Sequence, residues 1–179
     1  MLKRILCATL ASGALVLSGS AAAQELKIAL IAGKTGPLEA YAKDTEKGFM
    51  LGLEYLTNGT MALNGRKIRV IVKDDQLKPD LGKAMLAEAY ADDKVDIAVG
   101  TTSSGVALAM LPVAEEYKKV LIVEPAVADA ITGDKWNRYI FRTGRNSAQD
   151  GLASAATLKS GGSVAYLAQD YAFGRDGVK

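Results

Sequence analysis

Val95-Asp96-Ile97-Ala98-Val99-Gly100-Thr101-Thr102-Ser103-Ser104-Gly105-Val106-Ala107-Leu108 is the stretch that decides how this chain is read. A short apolar strand, Ile97-Ala98-Val99, is stopped by Gly100. Four hydroxyl residues follow, and then Val106, Leu108, Leu111 and Val113 recur at helical spacing towards Tyr117. The first backbone N–H groups of a helix have no internal partner and sit at the positive end of its dipole, so an anion placed there is stabilised. Ser103 and Ser104 add hydroxyl donors to those amides, and the stretch reads as an anion cradle. The plainer alternative is that one serine caps the helix, as serine often does. Spacing alone leaves both open.

Working outward, strands and helices alternate on both sides of the cradle. Leu26 to Ala32 is a strand bounded by Gly33, with Thr35-Gly36-Pro37 as its turn. A helix from Tyr41 to Leu56 carries Phe49, Met50, Leu53 and Leu56 at helical spacing and stops at Asn58-Gly59. Lys67 to Val72 is a second strand ending at Asp74-Asp75, and Pro79 opens a helix that runs from Asp80 to Ala91. After the cradle helix come a strand at Lys119 to Val123, ended by Glu124-Pro125, and a short one at Tyr139 to Arg142. Ser147 to Leu158 is helical and ends at Gly161-Gly162; Ser163 to Ala168 begins a new strand, with Asp170 to Gly174 as its exit loop. This alternation predicts an α/β fold, a parallel sheet with helices on both faces. Ligands of such sheets sit beyond the carboxyl ends of the strands. The loops there are 33–41, 74–78, 101–104 and 125–129. The chain stops at Lys179 just as a helix is due, so it reads as part of a longer protein.

Charge and composition exclude several functions. The apolar fraction is 49% of 179 residues, enough for a packed core. Met1-Leu2-Lys3-Arg4, the apolar run from Ile5 to Leu17 and Ala21-Ala22-Ala23 have the form of a secretory signal cleaved after Ala23. Its removal takes two cations from the net charge of +2, and the balanced remainder argues against nucleic acid. The apolar run is too short for a confident membrane span, so the mature protein is expected outside the cytoplasm. Cys7, the single cysteine, leaves with the signal. With no histidine in the chain, the usual general base, the Ser-His-Asp triad and most zinc sites are absent. No metal or cofactor is expected.

Other motifs fail on their spacing. Gly33-Lys34-Thr35 has the tail of a phosphate-binding loop, but the required earlier glycine is Ile28. No G-x-G-x-x-G follows the first strand, which removes a dinucleotide site. Asp74-Asp75 reads as a solvated turn rather than a catalytic carboxylate pair. Trp136 reads as a packing residue.

The chain resembles the periplasmic solute-binding proteins of ABC importers, of the branched-chain amino acid-binding (leucine/isoleucine/valine-binding) type. The resemblance rests on the signal, IALIAGKTGP at 28–37, GTTSSGVALAMLPVAEE at 100–116, the Glu124-Pro125-Ala126 turn and Asp170-Tyr171-Ala172-Phe173-Gly174-Arg175. It implies a periplasmic-binding-protein type I fold of two lobes that close on a ligand. Residues 24–144 would be lobe one and 145–179 the start of lobe two. By the same likeness Ser104 holds the ligand carboxylate, Ser103 and Gly105 give backbone contacts, Tyr41 covers the ligand, and Ala126 and Ala128 lie on the turn that receives an ammonium. Phe173 would close the cleft from lobe two. Ala128 departs from the Ser or Thr of amino acid binders.

Function follows as an expectation: capture of a small carboxylate by a monomer that delivers it to an inner-membrane ABC permease. An unpaired buried ammonium costs several kcal/mol, so the apolar Ala126-Val127-Ala128 turn tilts the ligand towards an aromatic or aliphatic organic acid rather than an amino acid. An extracytoplasmic α/β enzyme using Asp74, Asp75 or Ser104 is disfavoured, because no base is matched to the serine. A sensory ligand-binding domain of the same fold would need a transmembrane segment outside this chain.

Overall fold

The computed structural model describes residues 24–178, so the signal segment lies outside the described residues. Six strands form one sheet in the order β2-β3-β1-β4-β5-β6. β1 (Leu26–Ala32), β3 (Arg66–Asp74), β4 (Ile97–Gly100), β5 (Leu121–Val123) and β6 (Ile140–Arg142) run parallel. The alternation of strand and helix in sequence produces this arrangement, because each parallel strand needs a crossover to return the chain. β2 (Ala62–Leu63) is an antiparallel edge strand that sequence reading did not anticipate. Asn64 and Gly65, both at positive φ, turn it into β3 as a two-residue hairpin.

The order of connections fixes where a site can form. From β1 the chain crosses through α1 (Glu39–Leu56) to β3, then through α2 (Pro79–Ala91) past β1 to β4 on its other side. The crossover direction therefore reverses between β1 and β4. Such a switch point leaves a crevice outside the carboxyl ends of the two strands. Beyond β4 the chain forms α3 (Ser104–Tyr117), which starts in that crevice.

Side-chain alternation along β1 splits the core. Ala29 and Ile31 join Leu86, Val106, Met110 and Leu121 beneath α2 and α3, whereas Ile28 and Leu30 pack with Phe49 and Leu53 of α1. Leu30 and Ile31 are both fully buried, as expected for a central parallel strand covered on two faces. Gly100 ends β4 at φ 141°, and a Cβ there would stand 2.0 Å from the Ile31 carbonyl oxygen. Only glycine fits that close approach of β4 to β1.

The C-terminal part departs from the sequence expectation. α4 (Ser147–Ala155) ends before Leu158. No strand forms at 163–168, where Tyr166 is exposed and Leu167 fully so. An apolar strand needs hydrogen-bonded neighbours and a covered face, and none of the described strands pairs with this segment. The stretch read as an exit loop is instead partly helical, as α5 (Ala172–Gly177).

Candidate functional site

The crevice at the switch point is lined by hydroxyls whose orientation the backbone sets. The Gly33 amide, at the end of β1, donates to Thr102 Oγ1 at 3.1 Å, and the Ala128 amide donates to Ser104 Oγ at 3.2 Å. A hydroxyl carries one proton and two lone pairs. Each of these two accepts from a main-chain amide, so its own proton is left to donate. Both residues line a cavity of about 170 Å³, open on one side. Ser103 takes the N-cap position of α3, but its side chain makes no capping bond. Its carbonyl accepts the first helical amide, from Ala107 at 2.9 Å, which places the amides of Ser104, Gly105 and Val106 ahead of the helical ladder.

The remaining walls come from loops on either side of the cradle. Leu38 and Tyr41 stand at the start of α1, Pro125 to Val127 follow β5, and Arg145, Gln169, Tyr171 and Phe173 approach from the C-terminal segment. Tyr171 and Phe173 form a tilted ring pair with centroids 5.9 Å apart. Burial, with a smaller electrostatic contribution from Tyr41, holds the Tyr171 phenol above its ordinary value, so at neutral pH it is a hydroxyl. Arg145 is the one cation among the lining residues, and its Nε donates to Asp150 Oδ1 at 2.5 Å. No described Asp or Glu lines the cavity.

The turn after β5 has few acceptors to spare. The Val127 carbonyl receives the Ser147 amide at 2.9 Å and its hydroxyl at 3.3 Å. Arg142 Nη1 donates to the Ala128 carbonyl at 2.8 Å. Asp129 Oδ1 accepts the Ala148 amide at 3.1 Å, which turns that carboxylate to the start of α4. An ammonium brought to this turn would find two of its carbonyls and its carboxylate already engaged.

Of the residues singled out from sequence, the cavity wall brings together Tyr41, Ser104, Ala126 and Phe173. Ser103, Gly105 and Ala128 lie outside it, although the Ala128 amide fixes the Ser104 hydroxyl. Sequence reading did not single out Thr102, Arg145, Gln169 or Tyr171. Thr102 lay in view as one of four consecutive hydroxyls; Arg145 and Gln169 carry no local signal, since only tertiary structure brings them to the cradle. Asp74 and Asp75 also divide differently from a solvated turn. Asp74 accepts the Lys34 amide at 2.8 Å and the Gln76 amide at 3.0 Å, and ties the β1 and β3 loops together. Asp75 is fully buried.

Comparison with known proteins agrees with this geometry. The profile of the family described as periplasmic binding protein matches residues 25–179. Curated relatives include a Leu/Ile/Val-binding protein of Rhizobium johnstonii, 27% identical over 76% of this chain, and a Leu/Ile/Val-binding protein homolog of Brucella melitensis, 28% identical over 87%. The chain spans 36% and 42% of their lengths. Among solved structures, an ABC-type branched-chain amino acid transporter from Rhodopseudomonas palustris is 74% identical with a TM-score of 0.76, over 86% of this chain and 42% of that one. A solute-binding protein from the same species, solved with 3,4-dihydroxybenzoic acid, is 32% identical with a TM-score of 0.73, over 87% and 42%. Another, in complex with benzoate, is 29% identical with a TM-score of 0.74, over 86% and 42%. The switch-point crevice, the type I sheet order and the family match over nearly all the described residues converge: this chain belongs to the periplasmic binding protein family.

Proposed function

We propose that this chain is the ligand-gathering part of the periplasmic solute-binding component of an ABC importer, and that its ligand is a small aromatic or aliphatic organic acid. The observation that carries the ligand class is the donor-rich chemistry of the cavity, which has a cation and no described carboxylate in its wall. Thr102 and Ser104 present hydroxyl protons, Arg145 presents a guanidinium, and no described carboxylate stands among them. Such a set stabilises a carboxylate and offers an ammonium no anionic partner, and a buried charge without one is costly in a desolvated site. Tyr41, Tyr171 and Phe173 supply ring faces for a flat body. A cavity of about 170 Å³ is below the roughly 300–1,000 Å³ typical of drug-sized ligands, in keeping with a single-ring acid. Complexes of two related binding proteins with benzoate and dihydroxybenzoate support the same class.

Residues 24–144 in this reading form lobe one, and residues 145–179 begin the opposing lobe. Gln169, Tyr171 and Phe173 face the Ser104 cradle from the far wall, as residues of a second lobe would. The protein acts as a monomer that hands its ligand to an inner-membrane permease, after export by a signal cleaved following Ala23. Turnover has no part in it, because Ser104 has a backbone amide and no base as its partner.

A branched-chain amino acid is the second reading, favoured by the names of the curated relatives and of the R. palustris transporter. A thermal-shift screen of the intact protein against benzoates, phenylpropenoates, aliphatic acids and amino acids separates the two. A ligand at 100 times its Kd adds about 2.7 kcal/mol of stability. Stabilisation by organic acids and not by leucine, isoleucine or valine supports the first reading; the reverse pattern replaces it with the second.

A further inference from the structure

Asp75 has no role in the binding scheme above, yet it is a fully buried carboxylate directly behind the hydroxyl cradle. One of its oxygens accepts the Thr101 hydroxyl and the other accepts the Leu77 amide at 2.8 Å. Its own amide donates to the Ala32 carbonyl at 3.1 Å, at the end of β1. Gly33, the next residue, gives its amide to Thr102, and a Cβ built on Gly33 would lie 3.4 Å from Asp75 Oδ1. Asp75 is thus joined to the cradle through Thr101 on one side and Gly33 on the other.

Among the described residues no cation forms an ion pair with this carboxylate. Asp74, the preceding residue, is a like charge. From the β1 side Lys34 turns to Glu46 at 2.9 Å, and Lys73 of β3 is held by Glu88 and Asp93 at 2.8 Å. Lys78, at the start of α2, donates to Gln76. The β4 end contributes the neutral Thr101, and Arg145 belongs to the opposite wall of the cavity.

The geometry points to Asp75 as a positioning residue for ligand capture: it fixes the Thr101–Ser104 segment, and it takes a proton from solvent when a carboxylate enters the cradle. This rests on the reading of the cradle as a carboxylate site. Burial already holds the Asp75 carboxyl above the ordinary range, ahead of the opposing hydrogen bonds from Thr101 and Leu77. A second negative charge one residue away, with no cation between, makes the ionised form costlier still. Protonated Asp75 can reverse the Thr101 bond, donating to the hydroxyl oxygen or accepting from it, so the contact survives the change of charge.

Calorimetric titration of the intact protein with benzoate, in two buffers of different ionisation enthalpy, reads the linkage. In wild type, benzoate binding is accompanied by proton uptake, and affinity falls as pH rises. Asp75→Asn keeps the Thr101 contact without the charge, and it binds with no uptake and a flat pH profile. Asp75→Ala and Thr101→Val each remove the contact: Asp75→Ala binds about two- to tenfold more weakly than Asp75→Asn, and Thr101→Val more weakly than wild type by the same factor, the scale of one hydrogen bond. Superimposable pH profiles for wild type and Asp75→Asn, or equal affinities in Asp75→Ala and Asp75→Asn, overturn the assignment. Failure of benzoate and related acids to bind counts against the reading of the site instead. Asp75 is then judged in the ligand-free protein, where the Thr101 and Thr102 amide resonances must move with a single titration that Asp75→Asn abolishes. Resonances that do not move overturn the positioning role.

Discussion

Replacing Ser104 with alanine separates the binding role of the cradle from its structural one. Ser104 is 2% exposed and lines the cavity, and because its oxygen accepts the Ala128 amide at 3.2 Å its proton is left to donate. Two losses follow from one atom. The first is the donor to the ligand carboxylate, a hydrogen bond to a charged group worth about 1.5–3 kcal/mol, which is roughly a ten- to hundredfold rise in Kd. The second is the acceptor for a buried amide, and leaving that amide without a partner costs about 1–3 kcal/mol of folding stability. Calorimetry with benzoate on the intact protein reads the first, and urea denaturation reads the second. Ser103→Ala is the control, because that hydroxyl makes no capping bond and lies outside the cavity wall. Its Kd should equal that of wild type. A folded Ser104→Ala variant with wild-type affinity would refute the reasoning, and so would equal losses at Ser103 and Ser104.

Further outcomes follow from the same geometry. Arg145→Gln should weaken organic acid binding about three- to tenfold and flatten its salt dependence in titrations at varied ionic strength; the estimate is held down because the guanidinium is solvent-exposed and shared with Asp150. Gly100→Ala forces a Cβ against the Ile31 carbonyl at an unfavourable φ and should cost at least about 2 kcal/mol by chemical denaturation. Leu86→Ala opens a hole beneath α2 in a fully buried position, with a cost of about 2–5 kcal/mol. Asp75 is raised by burial, so the folded state holds its proton more tightly than the unfolded chain, and the stability it contributes falls as pH rises from the ordinary carboxylate range through the raised value. For Asp74 burial acts upward but the hydrogen bonds from Gln76, Thr35 and Lys34 outweigh it, so its stabilisation is present above the ordinary range and is lost on acidification. Denaturation midpoints of Asp75→Asn and Asp74→Asn, followed from acid to neutral pH, should differ from wild type with opposite slopes.

Much of residues 24–144 was legible because the signals there are local. Leu26–Ala32 and Ile97–Gly100 are apolar runs ended by glycine, and Pro79 marks the start of α2, so element type and order could be read directly. Their arrangement followed from the rule that parallel strands require crossovers. The segment after Gly161 misled for a physical reason: Val164, Tyr166 and Leu167 have strand-forming chemistry, but a strand exists only where neighbours pair with it. At the site, Ser104 and Tyr41 lay beside recognisable loop-to-helix junctions. The orientation of the Thr102 and Ser104 hydroxyls depends on amides from Gly33 and Ala128, 69 and 24 residues away. Asp75 looked like half of an exposed pair because adjacent residues in a sequence give no clue that one faces solvent and the other the core.

A donor-lined, ring-walled cradle of this kind should select a carboxylate that lacks an ammonium. Paired calorimetric titrations of the intact protein with leucine and with 4-methylpentanoate, and with phenylalanine and 3-phenylpropanoate, test it directly, since each pair differs only in the amino group. The account predicts that the deaminated acid of at least one pair binds more tightly than its amino acid, with benzoate or 4-hydroxybenzoate tighter still. Tight binding of leucine or phenylalanine, with little or no response to the deaminated partner, would contradict it.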